Sequence, residues 1–132
     1  MAENITPVKL KIDDFAEREV MSVDYVFDRK TDLEGQLAGI TRGGKIAIRV
    51  KALNDGNAQL LGWMLNPTEP KNITLEFTNT VDDKKEKDIQ GTDCYCVHYV
   101  EKWEEGVGDY EEITVVCREF KNAGAVFTNP WK

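Results

Sequence analysis

Apolar and polar residues alternate with a period of two along most of this chain, and that spacing limits its folds more than any other feature. Period two places successive side chains on opposite faces of a strand, so each such run has one face to bury and one to leave in water. Val8, Leu10 and Ile12 alternate with Lys9 and Lys11. Val23, Tyr25 and Phe27 alternate with Ser22, Asp24 and Val26, which predicts a second strand over residues 19–28. Ile46, Ile48 and Val50 alternate with Lys45, Arg49 and Lys51, the clearest strand of the chain, and Ile73, Leu75 and Phe77 alternate with Thr74, Glu76 and Thr78. Two more strands are predicted over residues 93–103 and 112–120.

One segment breaks the pattern. Between Asn54 and Pro67, Ala58, Leu61, Met64 and Leu65 recur at three- and four-residue spacing with Leu60 beside them, the apolar stripe of an amphipathic helix. Asn54 or Asp55 can supply the N-cap oxygen, and Asn66-Pro67 stops the helix because proline disfavours helical geometry in the residue before it. The expected helix covers residues 55–66, about three turns. Six or more strands and one helix predict a mainly β fold: a small β-barrel of two packed antiparallel sheets with one short α-helix, the helix covering an open end. At 132 residues the chain is expected to form a single domain, 1–132. Residues 82–88 (DDKKEKD) read as a solvated hairpin loop, and residues 28–44 are the longest stretch without periodicity, a loop of a length that usually has a function.

The charge balance removes several classes of function. Seventeen Lys and Arg against 24 Asp and Glu leave a net charge of −7, with the basic residues scattered among carboxylates, so no nucleic acid partner is expected. The first ten residues lack the basic stretch and apolar core of a signal peptide, and about 18 apolar residues never run together, so neither a signal peptide nor direct membrane insertion is expected. The sequons Asn4-Ile5-Thr6 and Asn72-Ile73-Thr74 are discounted on the same ground. Three cysteines make no even disulfide framework and are expected to be free thiols in a reducing cytosol.

Candidate chemistry is thin. Gly39 to Lys45 fits the G-x-x-x-x-G-K spacing of a phosphate loop, but Ile46 stands where magnesium needs Ser or Thr, and a strand follows where a helix should open. Gly43-Gly44 is expected to be a turn or bulge. Cys94, Cys96 and His98 would share one strand face. Residues two apart on a strand lie about 6.6 Å apart, too far for two thiolates on one zinc, so no metal is expected. A nucleophilic Cys96–His98 pair lacks an orienting third group, so no catalytic residue is assigned. The carboxylates at Glu104, Glu105, Asp109, Glu111 and Glu112 read as solvated. Trp103 ends a strand, and Trp131 either covers the core or packs on a neighbouring subunit.

Three motifs in order, ITRGGKI (Ile40 to Ile46), LLGWMLNP (Leu60 to Pro67) and DCYCVHYVEKW (Asp93 to Trp103), with Trp131 at the C-terminus, resemble the tube protein of the bacterial type VI secretion system, the Hcp-like or TssD family. The resemblance covers nearly the whole chain and is closest to a shorter, divergent subfamily. It implies a structural protein, not an enzyme, with no cofactor. The implied partners are five further copies in a homo-hexameric ring, stacked rings, a contractile sheath, a spike protein and effector cargo in the lumen. The implied localisation is cytoplasmic during assembly, then secreted through the machine. Carried over by position, residues 31–44 correspond to the extended loop that reaches the adjacent ring, here Thr31, Leu33, Gly35, Gln36, Thr41, Arg42, Gly43 and Gly44. Leu33-Glu34-Gly35-Gln36 replaces that subfamily's usual Thr-Gly-Arg-Pro. Trp63, Met64, Asn66 and Pro67 form the helix motif at a subunit boundary, and Tyr95, Val97 and Tyr99 form the strand motif. The alternative reading is a monomeric β-barrel module that binds a small ligand or sugar through aromatics such as Tyr95, Tyr99 and Trp103. An adaptor of the same secretion system that does not stack is a third.

Overall fold

The computed structural model describes residues 7–53, 55–78 and 84–131, and the side chains of all of these except 37–42 and 85. Its strands are β1 (Val8–Ile12), β2 (Arg18–Tyr25), β3 (Asp28–Thr31), β4 (Leu37–Arg42), β5 (Lys45–Lys51), β6 (Lys71–Thr78), β7 (Lys85–Glu104), β8 (Gly108–Asn122) and β9 (Ala125–Thr128), with α1 (Gln59–Met64) between β5 and β6. All pairings are antiparallel. The main sheet runs β5-β2-β1-β6-β7-β8-β9, and β8 pairs back onto β5, so six strands close into a barrel with β9 added beside the far half of β8. Closure removes the free edges that a six-stranded open sheet would expose. β3 and β4 form a separate two-stranded hairpin.

The alternation seen in sequence is the cause of the barrel. In β5 the three inward residues Ile46, Ile48 and Val50 are fully buried, while Lys45 and Lys51 face water. Leu10, Ile12, Leu75, Ile73, Ile113 and Val115 fill the interior from the other walls, and each such side chain removed from water contributes about 1.5–3 kcal/mol. The interior is packed with side chains, as expected for a barrel of this size.

A polar cluster closes the seam. Arg18, at the start of β2, donates to the Lys51 carbonyl at the end of β5 (2.7 Å) and to Glu111 Oε1 of β8. The other Glu111 oxygen accepts from the Tyr99 hydroxyl of β7 at 2.5 Å. Arg18 and Glu111 are both buried, so the four strands β2, β5, β8 and β7 are joined by one desolvated ion pair and its hydrogen bonds. Burial, reinforced by the bond to Glu111, holds the Tyr99 hydroxyl well above its ordinary pKa.

Several expectations are corrected, beginning with Glu111, which is buried in this cluster and not solvated. Residues 28–44 are not an irregular loop: β3 and β4 occupy most of them. The helix is six residues long, not three turns. It starts after Ala58 with no side-chain cap, and Asn57 Oδ1, not Asp55, accepts from the Gln59 N–H at 2.9 Å. Asn54 lies outside the described residues. The buried face of the helix is Leu60 and Trp63, with Met64 partly covered, while Leu61 and Leu65 are exposed. Of the charged run 82–88, Lys85 to Asp88 belong to β7, Lys84 is exposed just before it, and Asp82 and Asp83 lie outside the described residues.

β7 also departs from simple alternation. Its register against β8 shifts between Cys96 and His98, so Val97 is an extra, bulged residue. The bulge turns His98 outward and exposes it, while Tyr99 packs on the core. Cys94, Cys96 and His98 therefore do not share a face. A second irregularity lies opposite Asn72, where Asp93 adopts φ +51° and donates its N–H to Asn72 Oδ1 at 3.0 Å.

Candidate assembly surfaces

The β3–β4 hairpin is built by a local turn code. Asp32 Oδ1 accepts from the N–H groups of Glu34 and Gln36, both at 2.9 Å, and the Gly35 N–H donates to the Asp32 carbonyl at 3.0 Å. Gly35 sits at φ +81°, a conformation glycine adopts without steric cost. The tip thus consists of residues 32–36, and Leu33 is fully exposed there. Asp28, Arg29, Lys30 and Thr31 all face solvent. Register places Arg42 opposite Asp28 and Thr41 opposite Arg29, so both lie at the base of the hairpin, away from its tip.

Gly43 and Gly44 fix that base to the barrel. Gly44 has φ +80°, and its carbonyl accepts from the Cys117 N–H at 2.8 Å. Asn129, beyond β9, donates from Nδ2 to the Cys117 carbonyl at 2.7 Å and to the Gly43 carbonyl at 3.4 Å. A side chain at Gly43 would collide with the Phe27 ring, whose Cδ1 lies 2.1 Å from the position of a Cβ. Phe27 is held edge-on to Phe120 and Phe127, with ring centroids 5.0 Å away in each case. The Gly-Gly pair is the turn expected from sequence, set between two strands and not at the start of a helix, which is the wrong context for a phosphate loop.

The helix motif divides by position. Trp63 is buried, donates its indole N–H to the Glu69 carbonyl at 2.9 Å and meets Phe15 edge-on at 6.3 Å. Met64 packs partly on the core. Asn66 and Pro67 are exposed, and Asn66 Nδ2 donates to Glu69 at 2.7 Å, which shapes the turn after the helix. Leu61 and Leu65, four residues apart, leave an apolar stripe on the outer face.

The strand motif is split by the bulge. Tyr95 lies half-buried against Trp131 at 6.2 Å, Val97 is exposed, and Tyr99 faces the core. Arg118 stacks 5.5 Å above the Trp131 ring, so Trp131 packs on the outer wall of its own barrel. Trp103 is 70% exposed at the end of the β7–β8 hairpin, next to exposed Val107.

No catalytic constellation is assembled from the residues considered in sequence. Cys96 Sγ lies 3.5 Å from the His98 backbone carbonyl, not its ring, and burial pushes the Cys96 thiol up to about 11. Among the described residues no group of three or more His, Cys, Asp or Glu could hold a metal ion. Among the described residues no helix is long and apolar enough to cross a membrane. Sequence reasoning missed three elements: the Arg18–Glu111–Tyr99 cluster, the facing of Cys94 and Cys117, and the anchoring role of Asn129. All depend on how the strands pair and in which register, for which the local pattern carries no signal.

Comparison with known proteins places this geometry. The family model described as Hemolysin coregulated protein Hcp (TssD) matches residues 6–132. Among solved structures, Hcp1 from Flavobacterium johnsoniae superposes with a TM-score of 0.85 at 26% identity, covering 93% of this chain and 99% of that one. Hcp1 from the E. coli EAEC 042 pathovar gives 0.75 at 10% identity, covering 95% and 99%. The secreted protein Hcp3 from Pseudomonas aeruginosa gives 0.62 at 10% identity, covering 97% and 99%. No curated protein matches by sequence.

Proposed function

The chain belongs to the Hcp (TssD) family, tube proteins of the type VI secretion system, and from that premise we propose that it forms rings of six which stack through the β3–β4 hairpin into a hollow, effector-carrying tube. The family is one of structural tube subunits that form rings, so the role is mechanical and not enzymatic. Sheath and spike would engage the assembled tube, and export would follow sheath contraction.

The hairpin is the observation that carries this reading. A two-stranded ribbon is at best marginally stable by itself in water. This one has a wholly solvent-facing first strand, an exposed leucine at its tip and a firmly anchored base. A neighbouring ring would cover Leu33 and pair with the ribbon's open edges. The exposed Leu61–Leu65 stripe supports a second contact, between subunits of one ring. The ligand-binding alternative has less support, because core side chains fill the barrel interior where such a module would hold its ligand.

Carboxylates introduced at its tip and its base test the hairpin. Leu33→Glu at the tip and Arg42→Glu at the base should leave the ring and its melting temperature unchanged, since both lie on the β3–β4 hairpin, outside the barrel sheet. Both should weaken stacking, because a carboxylate added to a packed interface of an acidic protein introduces repulsion of several kcal/mol. Export by an otherwise intact secretion system should fail. Dissociation to monomers would assign the hairpin to contacts within a ring, and unimpaired export would make it a solvated appendage.

A further inference from the structure

Two buried thiols meet where the β7–β8 ribbon crosses the core. Cys94 and Cys117 are directly opposed in the antiparallel register, both are completely buried, and their sulfurs lie 2.9 Å apart. Opposed residues of an antiparallel pair have Cα atoms about 4.5–5.5 Å apart, inside the range of about 4.4–6.8 Å found across disulfides. Gly91 makes the room for both sulfurs: a Cβ there would come within 2.7 Å of each. The third cysteine is turned elsewhere, with Cys96 Sγ directed at the His98 carbonyl.

We propose that Cys94 and Cys117 are a redox pair that closes to an intramolecular cross-strand disulfide under oxidising conditions, leaving Cys96 as the free thiol. The proposal goes beyond the tube reading and stands whether or not the protein forms tubes. The co-reactant is a small-molecule disulfide such as oxidised glutathione. One cysteine thiolate attacks it, forms a mixed disulfide and releases one glutathione thiolate. The second cysteine thiolate then attacks the protein sulfur of that mixed disulfide and expels the second glutathione thiolate. Two cysteine S–H bonds and the glutathione S–S bond are lost, one protein S–S bond forms, and both protons end on the two released glutathiones. The protein is oxidised by two electrons and the glutathione disulfide is reduced by two. The hydrogen bond with Cys117, reinforced by burial, keeps the Cys94 thiol protonated, so the closed barrel resists attack and exchange occurs while β7 and β8 are apart.

The test refolds the full chain from urea in oxidised glutathione and, separately, in reduced glutathione, then alkylates accessible thiols under denaturing conditions before mass spectrometry and peptide mapping. The oxidised sample should carry a single alkyl group, on Cys96, with a Cys94–Cys117 cross-linked peptide and a chain mass about 2 Da below the reduced form before alkylation. Its melting temperature should rise by about 10 °C, because the link closes a loop across a 23-residue separation, and should fall back on reduction. Cys96→Ala should leave the cross-link intact. Three alkylated cysteines after oxidation, stable glutathione adducts on Cys94 or Cys117, or a cross-link that includes Cys96 would each overturn the proposal. The wild-type map decides the question even if Cys94→Ala and Cys117→Ala fail to fold.

Discussion

Arg18→Met is expected to lower the free energy of unfolding by about 3–5 kcal/mol, because it leaves the buried Glu111 carboxylate without its counter-charge. The loss also frees the Lys51 carbonyl, so the β2, β5 and β8 ends are no longer tied together. Urea denaturation of wild type and variant measures it. A second variant separates the two contributions. Replacing both partners, Arg18→Met with Glu111→Leu, should recover most of the loss, since it removes the unpaired charge and leaves only the Tyr99 hydroxyl and the Lys51 carbonyl to find water. If the single variant loses less than about 1 kcal/mol, the pair behaves as a solvated surface bridge, and its place in closing the barrel is wrong.

Trp63→Ala should cost about as much, about 3–5 kcal/mol, for a different reason. Trp63 is the largest side chain that the short helix inserts into the core, and a six-residue helix has little stability of its own. Removing the indole leaves a cavity beside Phe15 and Leu60 and undocks the turn around Glu69. Trp63→Phe keeps most of the volume and gives up the hydrogen bond, so it should lose about 1 kcal/mol beyond the repacking. Thermal melts of both variants check the order. Equal and small losses would mean that the helix is an appendage and not part of the core.

The elements that sequence disclosed are those with one wet and one dry face. β1, β5 and β6 alternate because each is a barrel wall with lysine or glutamate outside and aliphatic side chains inside. β3 was invisible for the complementary reason: Asp28, Arg29, Lys30 and Thr31 are all exposed, so no burial imprints a period on them. β9 is four residues long and shows no alternation strong enough to read. The bulge at Val97 shifts every residue after it to the opposite face, and nothing in Cys-Val-His-Tyr announces it. In the helix the choice of Ala58, Leu61, Met64 and Leu65 as the buried stripe passed over Trp63, although Leu60, Trp63 and Met64 are spaced equally well. Arg18 and Glu111 stand 93 residues apart, and only closure of the barrel brings them together. Of the candidate assembly residues, the Gly43-Gly44 pair between β4 and β5 was legible because glycine pairs mark backbone that other residues cannot follow. The division of the hairpin into tip and base needed its register.

Native mass spectrometry of the purified protein at micromolar concentration distinguishes the proposed ring of six from a monomer without recourse to the secretion machine. The expected spectrum is dominated by a species of six times the 15.0 kDa chain mass, with no stable ladder of smaller oligomers, as a closed cyclic arrangement requires. A monomer of 15.0 kDa across the whole concentration range would contradict it.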